Sequence, residues 1–344
     1  MVDIKLYTVK ELREWLLHNH AADGLSEQII APTRAWAIIH NPYVKEEDAI
    51  VAAIFEDRQL AAYTASFPDM LDGQRVWWAS TLYCYPQFAG RGYGMIVDGA
   101  LIEAHEPELT YDRWGAKETV EIFNHFGYQT VYTPRYHLSF KKIDTSSFKG
   151  KMAYCIQELK KYLHLRPKVS KVDYTLQYAS YIDGEAYAFM QSHRDNNLWI
   201  REQEMLNWVL RYPIRQGCLV PHKVEKDLHF TSYTASYAYQ VVKVYVDNQL
   251  VGVYVLRCNG DALTIVYLYY EDTLKDVVFE SIIDHILAVK PQEVMLDDME
   301  LCTFIRNRIY FHKMWEEKAS FSVPSNIKLP NNFLLQLGDG DSFI

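Results

Sequence analysis

Cysteine is scarce: five residues in 344 (Cys84, Cys155, Cys218, Cys258 and Cys302), no two closer than 40 positions. No CxxC pair exists, which excludes a zinc ribbon and a dithiol redox centre, and a disulfide scaffold does not suit a chain of this size. No apolar run approaches the roughly 18 residues that would cross a bilayer. The first twenty residues carry charges throughout and lack the apolar core of a signal peptide, so a cytoplasmic protein without a membrane partner is expected. Basic side chains are also in deficit, 35 against 44 acidic ones for a net charge of −9, which argues against a nucleic-acid partner. Disorder is excluded by 49% hydrophobic and 23% charged residues. What the chain has in excess is tyrosine, 26 residues beside 15 Phe and 8 Trp, which suits large cores and interfaces. Its length points to two domains of about 100–200 residues each.

The patterning predicts a strand over 3–8, helices to about His20 and over 33–39, and a strand hairpin over 49–68 around Glu56-Asp57-Arg58-Gln59. A third strand, rich in aromatic and β-branched residues, runs to Pro86. A glycine-rich loop and a helix follow, then a strand over 109–112, a helix over 117–126 ended by Gly127, and a strand over 131–140. Residues 141–171 hold nine basic and two acidic side chains, the composition of a solvated connector. Beyond it the order recurs. Helices over 184–192 and 200–212 precede a second hairpin, in which Val241, Asp247, Gln249 and Leu250 repeat Val51, Asp57, Gln59 and Leu60. A strand (262–270), helix (274–287), strand (293–296), helix (302–312) and strand (318–323) complete the copy, which reads as an internal duplication.

One segment is chemically specific. Tyr83–Met95, YCYPQFAGRGYGM, takes a strand through Pro86 into three alternating glycines and then a helix. Glycine permits positive φ and close approach to the main chain. Successive amides at a helix N-terminus, with its roughly half-unit positive charge, make a seat for a phosphate or pyrophosphate, and Arg91 adds a mobile cation. The GxxxxGK[ST] phosphate loop is absent. Gly90-Arg91-Gly92-Tyr93-Gly94 reads GxGxG after three antiparallel strands, which does not meet the dinucleotide fingerprint.

These residues resemble the central motif of the GCN5-related N-acetyltransferase (GNAT) superfamily, a strand ending V-x-P followed by Q/R-x-x-G-x-G/A and a helix. Cys84-Tyr85-Pro86 stands at the first part and Ala89-Gly90-Arg91-Gly92-Tyr93-Gly94 at the second, with Ala89 where Gln or Arg is usual. Ile122-Phe123-Asn124-His125-Phe126-Gly127-Tyr128 resembles the family's fourth-helix ending, F-Y-x-x-L-G-F. The resemblance implies an α/β fold of the α+β type. It comprises two tandem GNAT-like domains, each a mixed, mostly antiparallel sheet flanked by helices, at 1–143 and 173–344, joined by a basic linker at 144–172. It implies acetyl-CoA as cosubstrate and no metal. The pyrophosphate would lie on the Gly90–Gly94 amides, with Gln87, Phe88, Ala89, Arg91, Tyr93 and Met95 completing the loop. The pantetheine would pair with the strand end at Tyr83 and Cys84.

Acyl transfer to an amine needs a neutral nitrogen, a close thioester and a proton for the departing thiolate. The family's usual tyrosine acid falls on Phe123 and its usual asparagine on Ala116, neither of which can donate a proton. Asp112, near a strand end, is the candidate base, against a reading as a solvated cap. His125 reads as a surface residue and Cys84 as a buried thiol. Where the first half has its glycines, the second has Glu271-Asp272-Thr273-Leu274-Lys275-Asp276, whose acids would repel a pyrophosphate, so its cofactor site is expected to be lost. The tail Gly338-Asp339-Gly340-Asp341 reads as an exposed turn rather than a calcium loop. The leading expectation is an acetyltransferase acting on an amine of a small molecule or peptide. A non-catalytic CoA-binding scaffold, or an aminoacyl or peptidyl transferase on paired domains, stands as the alternative. A chain carrying both domains suffices as a monomer, with a homodimer as the other possibility.

Overall fold

The structure, a computed structural model, describes all residues except 19–23, 141–145, 150, 153, 157–158, 160–171, 194–196, 200, 213–236, 332 and 341–344. The chain divides into two compact units, one of Met1–Thr133, Leu198–Ala235 and Ala319–Ile344, the other of Pro134–Asn197 and Ser236–Lys318. These do not coincide with the contiguous segments 1–143 and 173–344, because each half of the chain contributes residues to both units. The basic stretch expected to link them lies largely outside the described residues.

Unit 1 opens with β1 (Val2–Thr8), α1 (Val9–His18), α2 (Pro32–Ile39), β2 (Ala49–Glu56), β3 (Gln59–Leu71) and β4 (Gln74–Cys84). There follow α3 (Tyr93–His105), β5 (Leu109–Arg113), α4 (Lys117–His125) and the start of β6 (Tyr128–Ser139). β1, β2, β3 and β4 pair in that order, all antiparallel. β4 and β5 pair in parallel, and β5 takes Phe321 and Ser322 as antiparallel partners. Residues 50–54 of β2 are fully buried, the signature of a strand covered on both faces. Trp77 and Trp78 show the two sides directly: Trp77 stacks on His105 of α3, with centroids 3.7 Å apart, while Trp78 packs on Trp199, 4.6 Å away. Tyr111, Phe321 and Trp199 extend the second cluster, so part of the aromatic excess is core.

Unit 2 repeats this order. It contains β7 (Thr175–Ala179), α5 (Gly184–Ser192), β8 (Tyr237–Val246), β9 (Gln249–Asn259), β10 (Ala262–Tyr270), α7 (Lys275–Val289), β11 (Glu293–Leu296) and α8 (Met299–Arg308), whereas α6 (Gln203–Arg211) belongs to unit 1. β7, β8, β9 and β10 pair antiparallel, β10 and β11 parallel, and β11 pairs antiparallel with residues 136–139 of β6. The sixth strand of each sheet therefore comes from the other half of the sequence, residues 136–139 in unit 2 and the end of β12 (Lys313–Pro324) in unit 1. The two hairpins match in detail. Asp57 and Arg58 have φ of 49° and 69°, Asp247 and Asn248 of 50° and 63°, and two consecutive positive values are what a two-residue turn with the twist of the strands requires. Tyr85 N donates to Ala61 O and Glu271 N to Val251 O, both at 2.9 Å, closing the fourth strand of each unit, β4 and β10, at equivalent points.

Helix α7 lies hard against β9. A Cβ on Gly252 would stand 2.5 Å from Cγ2 of Val278 and 3.0 Å from its Cγ1. Gly252→Ala is expected to destabilise unit 2 by about 1–3 kcal/mol through overpacking. Adding Val278→Ala should restore part of the loss in a thermal-unfolding comparison. No described helix is long and apolar enough to cross a membrane.

Candidate functional site

The site forms where β4 outruns its pairing with β5. Val76, Trp77 and Trp78 pair with Leu109, Thr110 and Tyr111, and the ladder stops there. Beyond it β4 stays with β3, while Asp112 and Arg113 turn to Ser322 and Phe321. A bulge helps separate the strands: Thr81 adopts φ 57°, and the β3–β4 register shifts between Tyr63 and Ala65. A cavity of about 260 Å³ occupies the resulting gap. Ser80 and Leu82 of β4, Asp112 of β5, Asp98 of α3, Phe123 of α4 and Arg34 of α2 are among its walls.

At the end of the same strand, Pro86–Phe88 make one 3-10 turn and Ala89–Gly92 lead into α3. Gly90 and Gly92 hold φ of 79° and 76°, which a side chain would strain. A Cβ on either would meet no described atom within 4 Å, so this side of the loop is open. Gly92 is the N-cap and supplies no capping side chain, and Ile96 N is the first amide to bond back, to Gly92 O. The amides of Tyr93, Gly94 and Met95 thus face out of the first turn, as an anion seat requires. Phe88 and Tyr93 are buried against Val97 and Leu101 and anchor the loop. Gln87 and Ala89 are exposed. Arg91, expected as a mobile cation beside the loop, pairs its guanidinium with Glu56, which also accepts from the Tyr93 hydroxyl at 3.1 Å. Glu56 is therefore compensated and does not oppose an anion on the amides. In unit 2 the equivalent 3-10 turn, Asp272–Leu274, runs straight into α7 at Lys275, and the four residues Ala89–Gly92 have no counterpart.

Tyr83 and Cys84 lie on the part of β4 that β5 has left, both half-buried, with Tyr83 against Tyr63 and Tyr85. Burial pushes the Cys84 thiol up, opposite to what a nucleophile needs. Asp112 is 4% exposed, so it is no solvated cap, and a Cβ on Gly115 would stand 2.5 Å from its Oδ2. Phe123 is fully buried, edge-on to Tyr128 at 4.9 Å, and His125 is exposed. The tail differs from the exposed turn expected of it. Asp339 is fully buried and accepts from Gln336 N at 2.8 Å, while Arg113 donates to Asp339 O; Asp341 lies outside the described residues.

Sequence reading missed Asp98. It is buried in the second turn of α3 beside Thr64, and burial pushes its carboxyl up to about 7, the Thr64 hydrogen bond acting against this. The available signal was its position in Met95–Leu101, where a carboxyl interrupts an apolar run and falls on one face with Leu101 and His105.

No family model and no curated protein matches the sequence. Solved structures do resemble it. A GCN5-related N-acetyltransferase from Anabaena variabilis superposes with a TM-score of 0.50 at 10% identity, over 93% of this chain and 72% of that one. An Enterococcus faecalis protein described as a probable N-acyltransferase gives 0.50 at 13% identity over 93% and 72%. A Pyrococcus horikoshii protein with a provisional acetyltransferase assignment gives 0.50 at 10% identity over 95% and 92%. At these identities the likeness speaks for architecture alone: mostly antiparallel mixed sheets flanked by helices, in the fold of the GCN5-related N-acetyltransferases.

Proposed function

We propose that unit 1 is an acyltransferase that moves an acetyl group from acetyl-CoA to an amine of a small molecule or peptide. The observation that carries this reading is the joining, at one strand end, of a gap between β4 and β5 to an open, uncapped start of α3. A pyrophosphate requires outward amides and no uncompensated negative charge, and the Gly90–Met95 segment meets both conditions. A pantetheine arm carries amides, and the edge of β4 released by β5 over residues 79–84 offers complementary main-chain groups in the manner of strand addition. The acyl end would then enter the cavity beside Asp112. Bound there, the thioester supplies an activated carbonyl.

The residues around the cavity do the rest. Asp112 takes the proton that the acceptor nitrogen must lose. Phe123 keeps water from the acyl group, and Ser80 and Thr81 present hydroxyls at the β4 wall. Unit 2, which lacks the glycine loop and carries Glu271 and Asp272 at the turn before α7, is a GNAT-like domain without a CoA site.

Calorimetric titration with acetyl-CoA tests this. Binding with a dissociation constant of roughly 1 μM to 1 mM is expected, in the range of ordinary substrate constants. An amine panel scored by release of free thiol should then identify turnover. Binding without thiol release from any amine would favour the scaffold. Neither heat nor a melting shift would remove CoA from the account and leave a transferase using another carrier.

A further inference from the structure

The acyltransferase reading leaves one need unmet, because a thiolate must depart and the fourth helix offers only Phe123. The cavity supplies a different group. Asp98 is 4% exposed, lines the 260 Å³ cavity, and its Oδ2 has no hydrogen-bond partner among the described residues. Phe123 lines the same cavity, and both residues also line an adjoining void of about 10 Å³. Asp98 therefore stands beside the ring that occupies the usual acid position, on the neighbouring helix. Asp112 reaches the cavity from β5 instead. Two carboxyls approach one space from different elements, an arrangement that lets environment divide the acid and base roles.

We propose that Asp98 is the general acid that protonates the departing thiolate. This rests on the acyltransferase reading and adds the proton donor to it. The neutral acceptor nitrogen attacks the thioester carbonyl, a C–N bond forms, and the C–S bond breaks with its electron pair on sulfur. The Asp98 O–H proton passes to that sulfur, the surplus proton on nitrogen passes to Asp112 and on to solvent, and Asp98 regains a proton before the next turnover. Products are the amide and the free thiol, and no other reactant is consumed.

A carboxyl can serve as this acid only if it remains protonated near neutral pH. Burial achieves this, raising the group to about 7. Among the described residues, its charged and titratable surroundings are Asp112 and Arg113 of β5, Arg34 of α2, His105 of α3 and the Tyr128 phenol of β6. His105 is itself pushed down to about 4 by burial and is neutral at pH 7, so it does not force Asp98 to ionise. Among the described residues, Thr64 is the neighbour whose hydrogen bond favours the ionised form.

Asp98→Asn should lower kcat by about 100-fold, within the usual span of general acid–base effects, while leaving acetyl-CoA affinity unchanged. The wild-type rate should fall as pH rises through about 7, where Asp98 loses its proton, and that basic limb should vanish in the variant. Thr64→Val, which removes the interaction favouring the anion, should move the limb to higher pH, and this shift can be read even if Asp98→Asn does not fold. An unchanged kcat in Asp98→Asn, a basic limb that survives it, or a limb unmoved by Thr64→Val would overturn the assignment while CoA binding still stood. A wild-type protein that binds no acetyl-CoA would sink both the function and this residue's role.

Discussion

Gly92→Glu is expected to weaken acetyl-CoA binding by about 100-fold or more while the far-UV circular dichroism stays that of the wild type. Two effects add. At φ 76° the new side chain occupies a backbone region that costs roughly 1–2 kcal/mol for a residue with a Cβ. Its carboxylate would also stand at the helix start where the pyrophosphate needs positive potential. Two unit charges about 4 Å apart repel by roughly 1 kcal/mol in water and 4 kcal/mol at an effective dielectric of 20, and a loop site lies between these limits. Each 1.4 kcal/mol is about tenfold in affinity. Gly92→Ala separates the terms because it carries the strain without the charge, and it should weaken binding by about tenfold only. The fold should tolerate both, since a Cβ at Gly92 meets no described atom within 4 Å. Equal affinities for the wild type and both variants would place the phosphates elsewhere.

The features legible in the sequence are those encoded by neighbours along the chain. The hairpin turns at Asp57-Arg58 and Asp247-Asn248, the strand–proline–glycine–helix run at 83–95, and the shared order of the two halves were all readable for that reason. The exchange of sixth strands was not. β5 pairs with residues more than 200 positions away, and the composition of 318–323 suits a strand in either unit equally well. β7 was missed although Tyr174-Thr175-Leu176-Gln177-Tyr178 alternates apolar with polar residues, because it is a five-residue edge strand, largely exposed, that directly follows the basic stretch. The cavity was half legible. Asp112 could be placed at a strand end, but its burial depends on the sixth strand and on Gly115 closing over it. Asp98 could have been suspected from its apolar helix face, yet that pattern alone cannot distinguish a catalytic carboxyl from one bonded inside the core.

Arg201→Met should be the most destabilising single change in unit 1 outside its apolar core. Arg201 and Asp69 have fully buried side chains, with Nε 2.8 Å from Asp69 Oδ2. The same oxygen accepts from Trp78 Nε1 at 2.9 Å, and Oδ1 accepts from Met70 N at 2.8 Å, so the carboxylate is well provided for. The other arm of Arg201 donates to the carbonyls of Gly338 and Gly340, tying the tail to the core of unit 1. Methionine fills much of the volume but leaves Asp69 charged in the interior and two carbonyls without their donor. Breaking a buried pair in this way costs about 3–5 kcal/mol, or roughly 10 °C in the midpoint of a unit this size. Asp69→Asn in the Arg201→Met background removes the stranded charge and keeps the side-chain shape, at the loss of one acceptor, because an amide NH2 replaces one of the two oxygens that accept from Met70 N and Trp78 Nε1. The double variant should therefore be more stable than Arg201→Met alone, giving a coupling of about 1–3 kcal/mol in a double-mutant cycle. Limited proteolysis should cut near residues 335–340 earlier in both variants, because neutralising Asp69 does not restore the donors to Gly338 and Gly340. If the two substitutions were simply additive, the Asp69–Arg201 contact would be incidental and the tail would be held by Arg113, which donates to the carbonyls of Gln336 and Asp339.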